Sequence, residues 1–157
     1  MNAIRLCLSA TCLSLLLSTT ALADTKQVED LFQQGQIFAA QKAYKQAQDA
    51  YLQALVLDPK HERARISLAI LYALQKEYPK ALKEIEAVQK MYPKSFLSYK
   101  VQGMLLKDSM QPEAAAQAFE TYLKTAPPNQ IKDRESVEKL IQTLRQPATE
   151  TPGNQVP

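Results

Sequence analysis

Residues 62–95 read ERARISLAILYALQKEYPKALKEIEAVQKMYPKS, and this stretch decides the fold because near-copies flank it on both sides. Shifting the sequence against itself by 34 residues brings Pro59, Pro93 and Pro127 into line. The same shift aligns Ala47, Ala81 and Ala115, then Gly35, Ala69 and Gly103. It also stacks Tyr51, Ile85 and Phe119, and Phe38, Tyr72 and Leu106. A fixed period of this length marks stacked supersecondary units, each too small to bury its apolar face alone.

Within each copy the apolar residues recur at spacings of three and four, the period of a buried helical stripe. The first copy (28–61) carries Leu31, Gly35, Ile37 and Phe38, then a break near Lys42, then Tyr44, Ala47, Tyr51, Ala54 and Leu55. The second (62–95) and third (96–129) repeat this arrangement, and no stretch alternates as a strand would. Small residues at Gly35, Ala69 and Gly103 are expected to face Ala47, Ala81 and Ala115, letting paired helices approach closely. Pro59, Pro93 and Pro127 end the second helices by pushing the residue before them out of the α region. Pro112 and Glu113 read as a first helical turn. The expected fold class is all-α, a right-handed helical-repeat solenoid of three helix-turn-helix repeats. Residues 131–145, with Val137, Leu140, Ile141 and Leu144 on one stripe, read as a C-terminal capping helix over the last repeat.

The 34-residue unit resembles the tetratricopeptide repeat. The match rests on Gly or Ala at 35, 69 and 103, Tyr44 and Tyr78, Ala at 47, 81 and 115, a bulky residue at 51, 85 and 119, and the three prolines. It departs at Arg65, Gln34 and Gln102, where large apolar residues are usual, and at Tyr122, where a small one is. The resemblance implies a protein-binding scaffold whose first helices line a concave groove. Carried over position by position, the groove would be lined by Phe32, Gln36, Arg63, Ile66, Ile70, Leu97, Lys100, Met104 and Lys107. Either Ile66, Ile70 and Met104 pack between repeats, or they form an apolar floor bordered by bases, suited to an amphipathic or acidic-tipped peptide. Chaperone-docking relatives grip a C-terminal carboxylate with a Lys/Asn/Arg set. Phe32, Gln36, Ser67, Leu97 and Val101 stand at those places here, which argues against that mode.

The two ends read differently. Residues 1–23 carry one charge, Arg5, an apolar run from Leu6 to Leu17, and Ala21-Leu22-Ala23, the layout of a secretory signal peptide. Cleavage there would start the mature chain at Asp24 and remove both cysteines, Cys7 and Cys12; the residues ahead of Cys12 fit a lipoprotein signal poorly. The expected address is outside the cytoplasm, in a bacterial periplasm, with no integral membrane anchor. Residues 146–157, with three prolines and one glycine, read as a disordered tail.

Without Arg5 the count is 18 Lys and Arg against 16 Asp and Glu, a net +2 that gives no basic stripe for nucleic acid. An enzyme is not expected. The single histidine, His61, reads as a solvated loop residue, and no Gly-rich phosphate loop, metal set or cofactor motif is present. Glu84 and Glu86 read as solvated helix surface. The leading function is a protein–protein interaction scaffold of the bacterial cell envelope. The alternative is a self-associating assembly protein whose groove is filled by its own tail or another copy, and the oligomeric state is left open.

Overall fold

The computed structural model describes residues 25–146 and, among them, contains helices and turns but no strand, the all-α class expected. Helix α1 occupies residues 25–40. It is followed by α2 (Tyr44–Leu57), α3 (Glu62–Leu74), α4 (Tyr78–Met91), α5 (Phe96–Asp108) and α6 (Pro112–Thr125). A 3-10 turn (Pro128–Gln130) then leads to α7 (Arg134–Arg145). Tyr44, Tyr78 and Pro112 open the second helices, and Leu57, Met91 and Thr125 close them, so the boundaries keep the 34-residue period. The leader (1–23) and the tail beyond Gln146 lie outside the described residues.

The same local devices end the helices of each repeat. Lys42, Lys76 and Met110 adopt left-handed backbone conformations, with φ of 60°, 61° and 63°. The residue after each donates its N–H five positions back, Ala43 to Phe38, Glu77 to Tyr72 and Gln111 to Leu106, all at 2.9 Å. This is the Schellman closure, made three times without a glycine. After the second helices, Asp58, Tyr92 and Ala126 donate back to Ala54, Val88 and Tyr122 and then lead into proline. Asp58 and Ala126 are extended, as a residue before proline favours.

The chain divides into two compact units at Leu71/Tyr72, within α3. In the first, Phe32, Ala47, Tyr51, Ala54, Ala64, Leu68 and Ala69 are buried. Phe32 and Tyr51 pack as tilted rings with centroids 6.0 Å apart. A Cβ added at Gly35 would come within 2.6 Å of Tyr51 Cδ1. In the second unit α5 packs on α4 and α6, and α6 packs on α7. A Cβ at Gly103 would lie 2.8 Å from both Cδ1 and Cε1 of Phe119. Each glycine is pressed by the aromatic ring four residues beyond Ala47 or Ala115, because the flat face of a ring fills the space a missing side chain leaves.

The core of the second unit joins Ala115, Ala118, Phe119 and Tyr122 of α6 to Ile131, Val137 and Ile141, with Leu140 and Leu144 packed alongside. The capping helix is thus present but begins at Arg134, not at residue 131. Ile131 is buried in the core ahead of the helix, and Pro127 and Pro128 carry the chain through a 3-10 turn first. Arg145 ties the far end to α6, with Nη1 2.6 Å from Glu120 Oε1 and Nη2 3.5 Å from Glu113 Oε1.

Candidate functional site

The side chains expected to line a groove fall into two groups, each held within one unit. In the first unit Phe32 is 1% exposed and Ile66 3%, so neither offers surface to a partner, and that expectation is corrected at both. The reason for Phe32 is visible above its ring. The Arg63 guanidinium stacks 4.5 Å from the centroid, and the His61 ring lies 5.2 Å away. Arg63 also sits 3.7 Å from Glu29. Gln36 is exposed, and Ile70 is 44% exposed, so Ile70 faces solvent and does not continue an edge begun by Ile66.

His61 is not the solvated loop residue expected. Its Nδ1 accepts the N–H of Ala64 at 3.0 Å and so caps the start of α3, and its Nε2 lies 3.7 Å from Glu29. A side-chain acceptor three residues before a free helical N–H is the cap geometry that Ser or Asp more often supplies. Arg65, a departure from the repeat pattern, also has a role. Its Nη2 donates to the Pro59 carbonyl at 2.9 Å. In the next repeat Tyr99, 34 residues on, donates its hydroxyl to the Pro93 carbonyl at 3.2 Å. Two unlike side chains tie down the same loop. Ser67, at one of the carboxylate-gripping places, bonds instead to Tyr51, whose hydroxyl pKa is pushed up by burial and partly lowered by that bond.

In the second unit Leu97, Met104 and Lys107 are exposed and Lys100 is half-buried, all on α5. At spacings of three, four and three they form one stripe on the helix. Leu97 is 43% exposed and Met104 44%. Lys100 Nζ donates to Asp133 Oδ2 at 2.7 Å and lies 5.3 Å from the Tyr122 ring centroid. The Tyr122 hydroxyl in turn donates to Asp133 Oδ1 at 3.5 Å. The hydrogen bond to Asp133 raises the Lys100 pKa, and the same bond holds the Asp133 carboxyl below its usual range. Lys107 pairs with its neighbour Asp108 at 2.7 Å. All three bases expected to border the groove are therefore matched by acids of their own chain. Gln102, another departure, accepts from Gln89 of α4 at 3.0 Å, so an amide pair stands where the repeat usually packs Leu.

Glu29 and Asp133 are the residues the sequence did not single out. Glu29 aligns with Arg63 and Leu97 in the repeat register, so the period could have nominated it. Asp133 lies beyond the last repeat and has no such signal.

Two open crevices run along helix pairs, one holding Leu31, Gln34 and Phe38, the other Tyr99, Gln102 and Leu106. Their residues match at a 68-residue offset, so they are a product of the repeat's geometry. Among the described residues no cluster of His, Cys, Asp or Glu could hold a metal ion, and no helix is long and apolar enough to cross a membrane.

A tetratricopeptide repeat family model matches residues 25–96. Three solved structures share the fold. The Sgt2 domain from Aspergillus fumigatus is 22% identical with a TM-score of 0.66, over 83% of this chain and 88% of that one. The first such domain of Spaghetti (RPAP3), solved with the HSP90 peptide SRMEEVD, is 20% identical with a TM-score of 0.67, over 77% and 95%. The Yersinia enterocolitica type III secretion chaperone SycD, solved with a peptide of the translocator YopD, is 15% identical with a TM-score of 0.70, over 76% and 92%. At these identities the likeness is one of fold. No curated protein shows a significant sequence match.

Proposed function

We propose that this chain, which a tetratricopeptide repeat family model matches over residues 25–96, is a non-enzymatic protein-interaction scaffold that docks a segment of a partner protein in the bacterial cell envelope. The partner-facing side chains are Gln36, Arg63 and Ile70 in the first unit and Leu97, Lys100, Met104 and Lys107 in the second. The observation that carries this reading is the exposure of three large apolar side chains, Ile70, Leu97 and Met104, on first helices of the repeats. Ile70 and Met104 stand at the same repeat position, each within its own unit, and a water-facing apolar side chain on a first helix suits a partner segment. The address rests on residues 1–23: a short apolar run ending in Ala21-Leu22-Ala23 fits export with cleavage before Asp24.

The experiment is a pull-down from envelope extract with wild type and the Ile70→Asp/Met104→Asp variant, beside a thermal melt of each. The variant should lose the wild-type partner, while each solvent-facing change shifts stability by no more than about 0.5 kcal/mol. An unchanged set of captured proteins would remove the proposed surface. Intact mass of the exported chain tests the address, and a chain that still begins at Met1 contradicts it.

A further inference from the structure

The protein-binding reading above is the basis for a narrower statement about the chemistry of the partner. Lys100 lies between Leu97 and Met104 on the exposed stripe of α5, yet a carboxylate already occupies it. That carboxylate, Asp133, reaches Lys100 from the turn ahead of α7, 33 residues along the chain. It makes no side-chain cap on α7, so starting that helix does not require its acid. Lys107 differs, because its acid is the adjacent Asp108 and travels with it. The two sides of the Lys100–Asp133 pair remain 28% and 42% exposed, and an ion pair so open to water is weak enough to be exchanged. Tyr122 borders both members of the pair, its ring centroid 5.3 Å from Lys100 Nζ and its hydroxyl donating to Asp133 at 3.5 Å.

We infer that Asp133 is a built-in occupant of Lys100, and that an acidic side chain of the partner segment binds α5 by taking its place while apolar side chains cover Leu97 and Met104. The chain's own acid thereby lowers the affinity for acidic segments and releases the turn before α7 when one binds.

The test is a selection from a random 12-residue peptide library on the full chain, with Asp133→Asn, Asp133→Ser, Lys100→Gln and the Asp133→Asn/Lys100→Gln double variant beside wild type. Circular dichroism checks that each variant is folded, and two Asp133 replacements guard against a local defect in one. Acidic peptides should bind both Asp133 variants roughly two- to fivefold more tightly than wild type, the span that an exposed ion pair controls. The gain should vanish in the double variant. Equal affinity for acidic peptides in wild type and both Asp133 variants overturns this inference and leaves the protein-binding reading standing. A library that yields no binder to any form overturns both.

Discussion

Helices α1 and α5 occupy the same place in the first and third repeats, and one of their faces differs sharply. On α5, Ser98 is fully buried, Val101 is 5% exposed and Leu105 is buried. Sixty-eight residues earlier, Asp30 and Gln33 are exposed and Ile37 is 57% exposed. The crossings within the two repeats are nonetheless alike, with Gly35 against Tyr51 in one and Gly103 against Phe119 in the other. The repeat thus separates two duties. Glycine and aromatic ring set how its own helix pair closes, while the outward face sets what can stack against it. Asp30 and Gln33 keep that face of α1 in water, Ile37 with them, whereas Val101 and Leu105 of α5 are buried together with Ser98.

The largest expected effect breaks this comparison directly. Val101→Asp places an uncompensated charge at a buried position and should cost at least about 3 kcal/mol. Gln33→Asp, at the matching position of α1, should stay within about 0.5 kcal/mol. Chemical denaturation of the two variants measures both, and equal losses would mean the faces do not differ as described.

The crossings come next. Gly103→Ala pushes a methyl into Phe119, costing about 1–3 kcal/mol in overpacking, against about 1 kcal/mol gained in helix propensity. A net loss of up to about 2 kcal/mol is expected, and Gly35→Ala should behave alike against Tyr51. The second repeat places Ala69 and Ile85 at these positions, so adding Phe119→Ile to Gly103→Ala should recover part of the loss. Strict additivity of the two changes would show that the ring is not what excludes the methyl.

A smaller effect of opposite sign is expected at the turns. Lys42, Lys76 and Met110 hold positive φ without being glycine, a conformation costing roughly 1–2 kcal/mol for an L residue. Each change to glycine removes that strain but adds unfolded-state entropy, so a gain of about 0.5–1 kcal/mol per site is expected. The melting temperatures of the three single variants should all rise; a fall at any one would show its side chain makes a contact worth more than the strain.

The smallest effect concerns the Lys100–Asp133 pair, worth up to about 1 kcal/mol at this exposure. The folded-state pKa of Asp133 is lowered, so its contribution is present above the ordinary carboxylate range and fades as pH falls through the lowered value. The folded-state pKa of Lys100 is raised, so its contribution is present below the ordinary lysine range and fades as pH rises through the raised value. Denaturation of wild type and Asp133→Asn across pH should show a gap that is flat near neutrality and closes in acid. A gap that widens in acid would contradict the assignment.

The sequence by itself determined the repeat, the ends of its second helices and the class of fold, because those depend on near neighbours. Apolar spacing selects the helix, proline forces the preceding residue out of it, and a 34-residue offset exposes both. The polar Gln33 against the apolar Val101 could be read from the same alignment, but the burial of Ser98 could not. What only the tertiary structure decided is which carried-over groove positions reach water. Register says which way a Cα faces, but not that Arg63 and His61 lie over Phe32, nor that Ile66 is buried while Ile70 is not. The turn residues Lys42, Lys76 and Met110 gave no glycine signal, since the surrounding hydrogen bonds impose their conformation. Asp133 reached Lys100 for the same kind of reason: the meeting depends on where the turn before α7 carries the chain, which no local spacing encodes.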